Sequence, residues 1–181
     1  MPKIVVIRHS IAIANEQKVI AGATLDSPLS EAGRALAVQK GKRLAVESFR
    51  PAAIFSSPMQ RTIQTAQIIL DELSLDLPVQ PLPGLNERSF GDYEGTSYEE
   101  TIAAFDRYGD NPPSVEPVEV VIRRIIQTFE DIKRETTGTT LIVTHSAPVM
   151  ILQAYLFRPD MLSHYWHIGD PANCEGLTHS F

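Results

Sequence analysis

Three apolar runs in this chain end on residues that could handle an anion. Ile4-Val5-Val6-Ile7 leads into Arg8-His9-Ser10, residues 52–55 lead into Ser56-Ser57-Pro58 with Arg61 one helical turn later, and Leu141-Ile142-Val143 leads into Thr144-His145-Ser146. Taken singly, each has an ordinary reading: a hydrogen-bonded structural histidine, or an arginine paired at the surface. Together they point elsewhere, because gathering several cations away from water is costly unless an anion joins them. Guanidinium forks match phosphate oxygens in pairs, and the first turns of helices add backbone N–H donors. The pattern predicts an oxyanion site with a histidine nucleophile. A zinc site is the rival. No HExxH or paired-cysteine spacing occurs, and arginine beside the histidines would repel a metal ion. His164 and His167 are spaced to share a helix face, yet with Tyr165 and Trp166 between them they read as a packed or surface segment.

Such residues act together only if the fold delivers them to one place. Residues 3–7 form a β-branched run suited to a strand buried on both faces, and 52–55 and 140–143 read as two more. Residues 79–82 are a weaker strand, bounded by prolines. Between them lie helical patterns: 31–48 behind the N-cap Ser30, a helix opened by Pro58, another over 118–135, and 147–156 with Pro148 in its first turn. A short strand near 174–178 closes the list. Alternating strands and helices predict an α/β fold, a three-layer α/β/α sandwich on a mostly parallel sheet. In such sheets ligands bind outside the carboxyl ends of the strands, where the three polar runs lie. Residues 83–116, rich in proline and glycine, read as a small cap-like insertion carrying one helix near 98–108, within a single domain spanning 1–181.

Composition narrows the partners. The 181 residues are 43% hydrophobic and 21% charged, with a net charge of −6 and no long basic run. That balance disfavours nucleic acid and anionic membranes, which attract clustered lysine and arginine, but not a small anionic phosphorylated metabolite. One cysteine cannot form an internal disulfide, and the apolar residues near the N-terminus are too few for a signal peptide. The stretch from Leu141 to Phe157 is polar-interrupted and shorter than a membrane span. A soluble, cytoplasmic protein is expected, and a homodimer is one assembly compatible with it.

Five ordered blocks resemble the histidine phosphatase superfamily, the phosphoglycerate-mutase-like enzymes. Ile7-Arg8-His9-Ser10 is similar to the first signature of that family, with Asn15 where it places a phosphate-binding asparagine. Asp26-Ser27-Pro28-Leu29-Ser30-Glu31-Ala32-Gly33 resembles its next helix start, and Ser56-Ser57-Pro58-Met59-Gln60-Arg61-Thr62 its second signature. Leu85-Asn86-Glu87-Arg88 and Phe90-Gly91-Asp92-Tyr93-Glu94-Gly95 resemble the segment bearing its proton donor, and Val143-Thr144-His145-Ser146 its last histidine motif.

The resemblance implies that His9 is the nucleophile, that Arg8, Arg61 and His145 complete a phosphate pocket, and that Glu87 is general acid and then base. Asn15, Ser10, Arg88 and Ser146 are the expected substrate-binding residues, with no metal and no cofactor. The chain departs from the family pattern at Ser10 and Ser146, which replace glycines, at Ile11 and Ala12, which replace polar residues, and at Ala21, where mutases place threonine. Hydrolysis of small phosphate monoesters is the leading expectation. The alternatives are a phosphoglycerate-type mutase, whose relatives are longer and close the site against water, and a non-catalytic phosphate-binding protein. The intact set of five catalytic candidates speaks against the last.

Overall fold

The computed structural model describes residues 3–180. Strand β1 (Lys3–Arg8) leads through a one-turn helix α1 (Ile13–Glu16) and a loop to helix α2 (Glu31–Val46). Then come β2 (Ala53–Ser56), α3 (Gln60–Leu73), β3 (Val79–Pro81) and, beyond two 3-10 turns, α4 (Tyr98–Tyr108). Helix α5 (Val118–Glu135), β4 (Thr140–Thr144) and α6 (Ser146–Phe157) follow. A 3-10 helical stretch over Pro159–Ile168 precedes β5 (Gly176–Ser180).

The sheet order is β3-β2-β4-β1-β5, with β5 alone antiparallel. Alternation along the strands divides the interior in two. Ile4, Val6, Phe55 and Ile142 face a core with α5 and α6, where Val121, Ile125 and Phe129 are buried. Ile7, Ile54, Leu141 and Val143 face the other core, built with Leu44 of α2 and Ile69 and Leu70 of α3. The period-2 pleat thus serves two helical layers at once, which is why these strands read as unbroken apolar runs. This is the expected three-layer α/β/α arrangement.

Two local expectations need correction. Pro58 does not open α3: the helix begins at Gln60 after an extended Met59, and the Gln60 N–H donates to Asp26 Oδ1 at 2.7 Å. Its cap therefore comes from a distant loop, a contact that local sequence cannot display. Strand β5 begins two residues later than expected, because Cys174 adopts a left-handed φ of 62° and turns the chain first. Among the described residues no helix is long and apolar enough to cross a membrane.

Candidate active site

Parallel neighbours β2, β4 and β1 bring their carboxyl ends side by side. The ladder continues past them: the His9 N–H donates to the Thr144 carbonyl at 2.8 Å and the Ser57 N–H to the Val143 carbonyl at 3.2 Å. The His9 and His145 rings meet edge to face with centroids 5.2 Å apart. A late segment braces the same corner. Asn173 Nδ2 donates to the His9 carbonyl at 2.9 Å, and the Cys174 N–H to the Arg8 carbonyl at 3.0 Å.

One hydrogen bond fixes the state of His9. Its Nδ1 lies 2.6 Å from the Ser10 carbonyl, which can only accept, so Nδ1 carries the proton and Nε2 keeps its lone pair. Burial, and then the Arg61 charge, hold the His9 pKa well below its ordinary value, with the Ser10 carbonyl opposing and Arg8 adding to the effect. The same two main causes depress His145. The His145 Nε2 is 2.7 Å from Ser57 Oγ. Both rings are therefore kept neutral, and neutral imidazole is the nucleophilic form.

The arginines are held by their outer nitrogens. Arg61 is buried and donates from Nη2 to the Gly22 carbonyl at 2.7 Å and from Nη1 to the Leu25 carbonyl at 3.1 Å. Arg8 Nη1 donates to Asp170 Oδ2 and to the Pro171 carbonyl, both at 2.8 Å. Four buried side-chain polar atoms among the described residues have no hydrogen-bond partner: Asn86 Oδ1 and three nitrogens, Arg8 Nε, Arg61 Nε and His145 Nδ1. Buried polar atoms are rarely left so, and three nitrogens around the His9 corner suit an oxyanion that would give them acceptors.

Glu87 enters from the loop before α4. Its Oε1 accepts from the Arg88 and Ala147 N–H groups at 2.9 and 3.2 Å, and its Oε2 from Ser146 N–H at 3.0 Å. Burial raises its pKa and outweighs the Arg88 and Ala147 N–H groups and the two arginines, which pull it down. Although part of the side chain reaches the cleft surface, protein encloses most of it. A carboxyl so placed can hold a proton at a pH where an exposed glutamate has lost it.

Arg8, His9, Asn15, Arg61, Glu87 and Ser146 line one cleft of about 420 Å³, and the fully buried His145 touches it only through its ring contact with His9. Asn15 Oδ1 accepts from the Ala12 N–H at 2.9 Å. Ser146 directs its hydroxyl to the Asp170 carboxylate. Two expected substrate ligands are not in the cleft. Ser10 is fully buried outside it, and its hydroxyl donates to the Gly33 carbonyl at 2.6 Å, so it anchors α2 instead of facing phosphate. Nor is it strained, since its φ is not positive. Arg88 is spent on the insertion, donating from Nε to the Glu116 carbonyl at 2.8 Å and from Nη2 to the Asp110 carbonyl at 2.6 Å.

The sequence did not single out two residues that matter here. Asp170 bridges Arg8 and Ser146 from a loop without a motif. Glu94 gathers the N–H groups of Ala23, Thr24 and Leu25. The Gly22 and Leu25 carbonyls of the same turn accept from Arg61, so Glu94 braces the segment that holds the arginine. Gly22 is required there: at its φ of +53°, a Cβ would stand 2.3 Å from a Glu94 carboxylate oxygen.

A model of the histidine phosphatase superfamily, branch 1, matches residues 4–178. The chain belongs to this superfamily. Phosphoglycerate mutase 1 of Saccharomyces cerevisiae is 36% identical over 106 residues, which is 58% of this chain and 42% of the yeast enzyme. The chain thus matches less than half the length of that relative. Bacillus stearothermophilus YhfR superposes with a TM-score of 0.85 at 28% identity, covering 98% of this chain and 90% of that one. A mycobacterial glucosyl-3-phosphoglycerate phosphatase, Rv2419c, in complex with VO3, shares the fold at a TM-score of 0.84 and 22% identity. That likeness covers 99% of this chain and 93% of the other. The matching family model thus carries a phosphatase name and the yeast relative a mutase name.

Proposed function

We propose that this chain is a phosphatase that hydrolyses small phosphate monoesters through a phosphohistidine on His9. The observation that carries the reading is the set of three unpartnered buried nitrogens, Arg8 Nε, Arg61 Nε and His145 Nδ1, beside a histidine whose Nε2 lone pair is free. His9 Nε2 forms a bond to phosphorus as the bond to the leaving oxygen breaks, and Glu87 gives that oxygen its proton. Water then attacks the phosphohistidine, Glu87 takes back a proton, and inorganic phosphate leaves with His9 neutral again. The arginines stabilise charge on the equatorial oxygens in both steps. No metal or organic cofactor enters these steps.

Similarity to the yeast mutase favours a second reading, in which the phosphoryl group returns to a bound hydroxy acid instead of passing to water. Both readings share the His9 chemistry and differ in the acceptor. Single-turnover reaction with substrate labelled on phosphorus, quenched in alkali to preserve phosphohistidine, should place label on His9 and then release it as inorganic phosphate. A His9→Ala variant should bind no label and lose at least about 10³-fold in turnover. Near-normal turnover in that variant overturns the assignment, and label retained in an isomeric ester supports the mutase.

A further inference from the structure

Beyond the phosphate corner, the cleft changes character. Its outer walls carry Val19 and Ile20 on one side and Phe90, Tyr98, Ile102 and Phe105 on the other. Tyr98, Thr101, Ile102 and Phe105 fall at positions i, i+3, i+4 and i+7 of α4, so one stripe of that helix faces the cavity. The two walls are laced together at one end: the Ile20 N–H donates to the Thr96 carbonyl at 2.9 Å and the Tyr98 N–H to the Lys18 carbonyl at 3.0 Å. A second hollow of about 290 Å³ shares Glu87, Phe90, Phe105 and Ser146 with the first, and adds Met150, Tyr165 and Trp166.

Charge is distributed as unevenly as apolarity. The cations lining the main cleft are Arg8 and Arg61, both at the phosphate end and both already holding protein oxygens through their outer nitrogens. The second hollow has Arg88, whose guanidinium is taken by backbone carbonyls. The outer wall contributes Asp106, an anion. A substrate carrying a second phosphate or a carboxylate would bring that group beside aromatic rings and the Asp106 carboxylate, with no cation among the lining residues of that wall to attract it.

We infer that the leaving group is uncharged and apolar, an aromatic or branched-alkyl alcohol esterified to phosphate, and not a phosphorylated hydroxy acid or a bisphosphate. The inference rests on the phosphatase reading and names its substrate class. The phosphoryl group sits at the His9 end, the ester oxygen faces Glu87, and the hydrocarbon lies between Ile20 and the α4 stripe.

Three substrates with primary-alkoxide leaving groups separate binding from leaving-group chemistry: 2-phenylethyl phosphate, glycerol 1-phosphate and 3-phosphoglycerate. The kcat/KM for phenylethyl phosphate should exceed that for glycerol phosphate by roughly 10- to 100-fold, as burial of one ring in an apolar pocket implies, and 3-phosphoglycerate should be poorest. Two exposed positions on α4 test the cause without threatening the fold. Ile102, which is 60% exposed, should on Ile102→Asn lose about 5-fold on phenylethyl phosphate and little on glycerol phosphate. Asp106→Lys should raise kcat/KM for 3-phosphoglycerate by about 10-fold. Equal rates on all three substrates, or a preference for 3-phosphoglycerate, overturn the inference while leaving the phosphatase reading intact. Phosphate released from none of them overturns the phosphatase reading, and the inference with it.

Discussion

In the proposed reaction Glu87 carries the most chemistry per atom, and that role has a kinetic signature. Its carboxyl must be protonated to assist a departing alkoxide, and burial raises its pKa to make that state available. Glu87→Gln should lower kcat/KM for a primary alkyl phosphate by about 10²–10⁴-fold and for nitrophenyl phosphate little, because nitrophenolate leaves unprotonated. Water activation is lost as well, so the variant should release a burst of nitrophenol before slow turnover. In the parent enzyme kcat/KM for alkyl esters should fall as pH rises through the raised Glu87 pKa. On the acid side, His9 must be neutral, and its depressed pKa moves that limb below the ordinary histidine range. An equal loss of kcat/KM on both substrates would remove Glu87 from proton transfer. At this scale the sequence was informative where chemistry is local to a strand end: Arg8, His9 and His145 follow apolar runs that announce their position. Ser10 and Arg88 misled, because adjacency to a catalytic residue says nothing of which way a side chain turns, and both turn toward backbone carbonyls.

Elements cooperate through loops, and the loop between α1 and α2 is held by one carboxylate. Burial would raise the Glu94 pKa, but the bonds it accepts from Thr24, Ala23 and Phe90 outweigh burial and hold it below the ordinary range. Glu94→Ala removes the partner of three successive N–H groups and should cost about 2–4 kcal/mol of stability. More telling is a split in the kinetics. As the Gly22 and Leu25 carbonyls loosen their grip on Arg61, KM and the vanadate inhibition constant should rise at least about 10-fold, with Glu94→Gln recovering part of both. A variant that loses stability while keeping its affinity for vanadate would make Glu94 merely structural. The strands and the long helices were legible because period-2 and period-3.6 patterns are written locally. The cap that Asp26 provides for α3 and the pairing of β5 were not, since each depends on residues far away in the chain.

The whole molecule keeps two histidines neutral in its interior, and that has a thermodynamic sign. Their folded pKa values lie below the ordinary value of 6.5, so below about that pH the unfolded chain binds protons that the folded one refuses. Their contribution is therefore present above pH 6.5 and is lost as pH falls. The raised Glu87 works in the opposite sense, since the folded chain keeps its proton longer. Between pH 7.5 and 5.5 the parent protein should lose more in Tm than a His145→Gln variant; identical slopes by calorimetry would show that His145 is not held neutral. The order of the sheet has a consequence of another kind, for synthesis. Strand β1 has β4 and β5 as its neighbours, and β4 starts only at Thr140. At ordinary ribosomal speed, on the order of ten seconds separate the emergence of β1 from that of its first partner. Throughout that interval Ile4-Val5-Val6-Ile7 has both hydrogen-bonding edges open, the sort of segment that chaperones shield. The corner around His9 is completed later still, once Asn173 reaches the His9 carbonyl, so an incomplete nascent chain carries the proposed nucleophile without the brace that holds it.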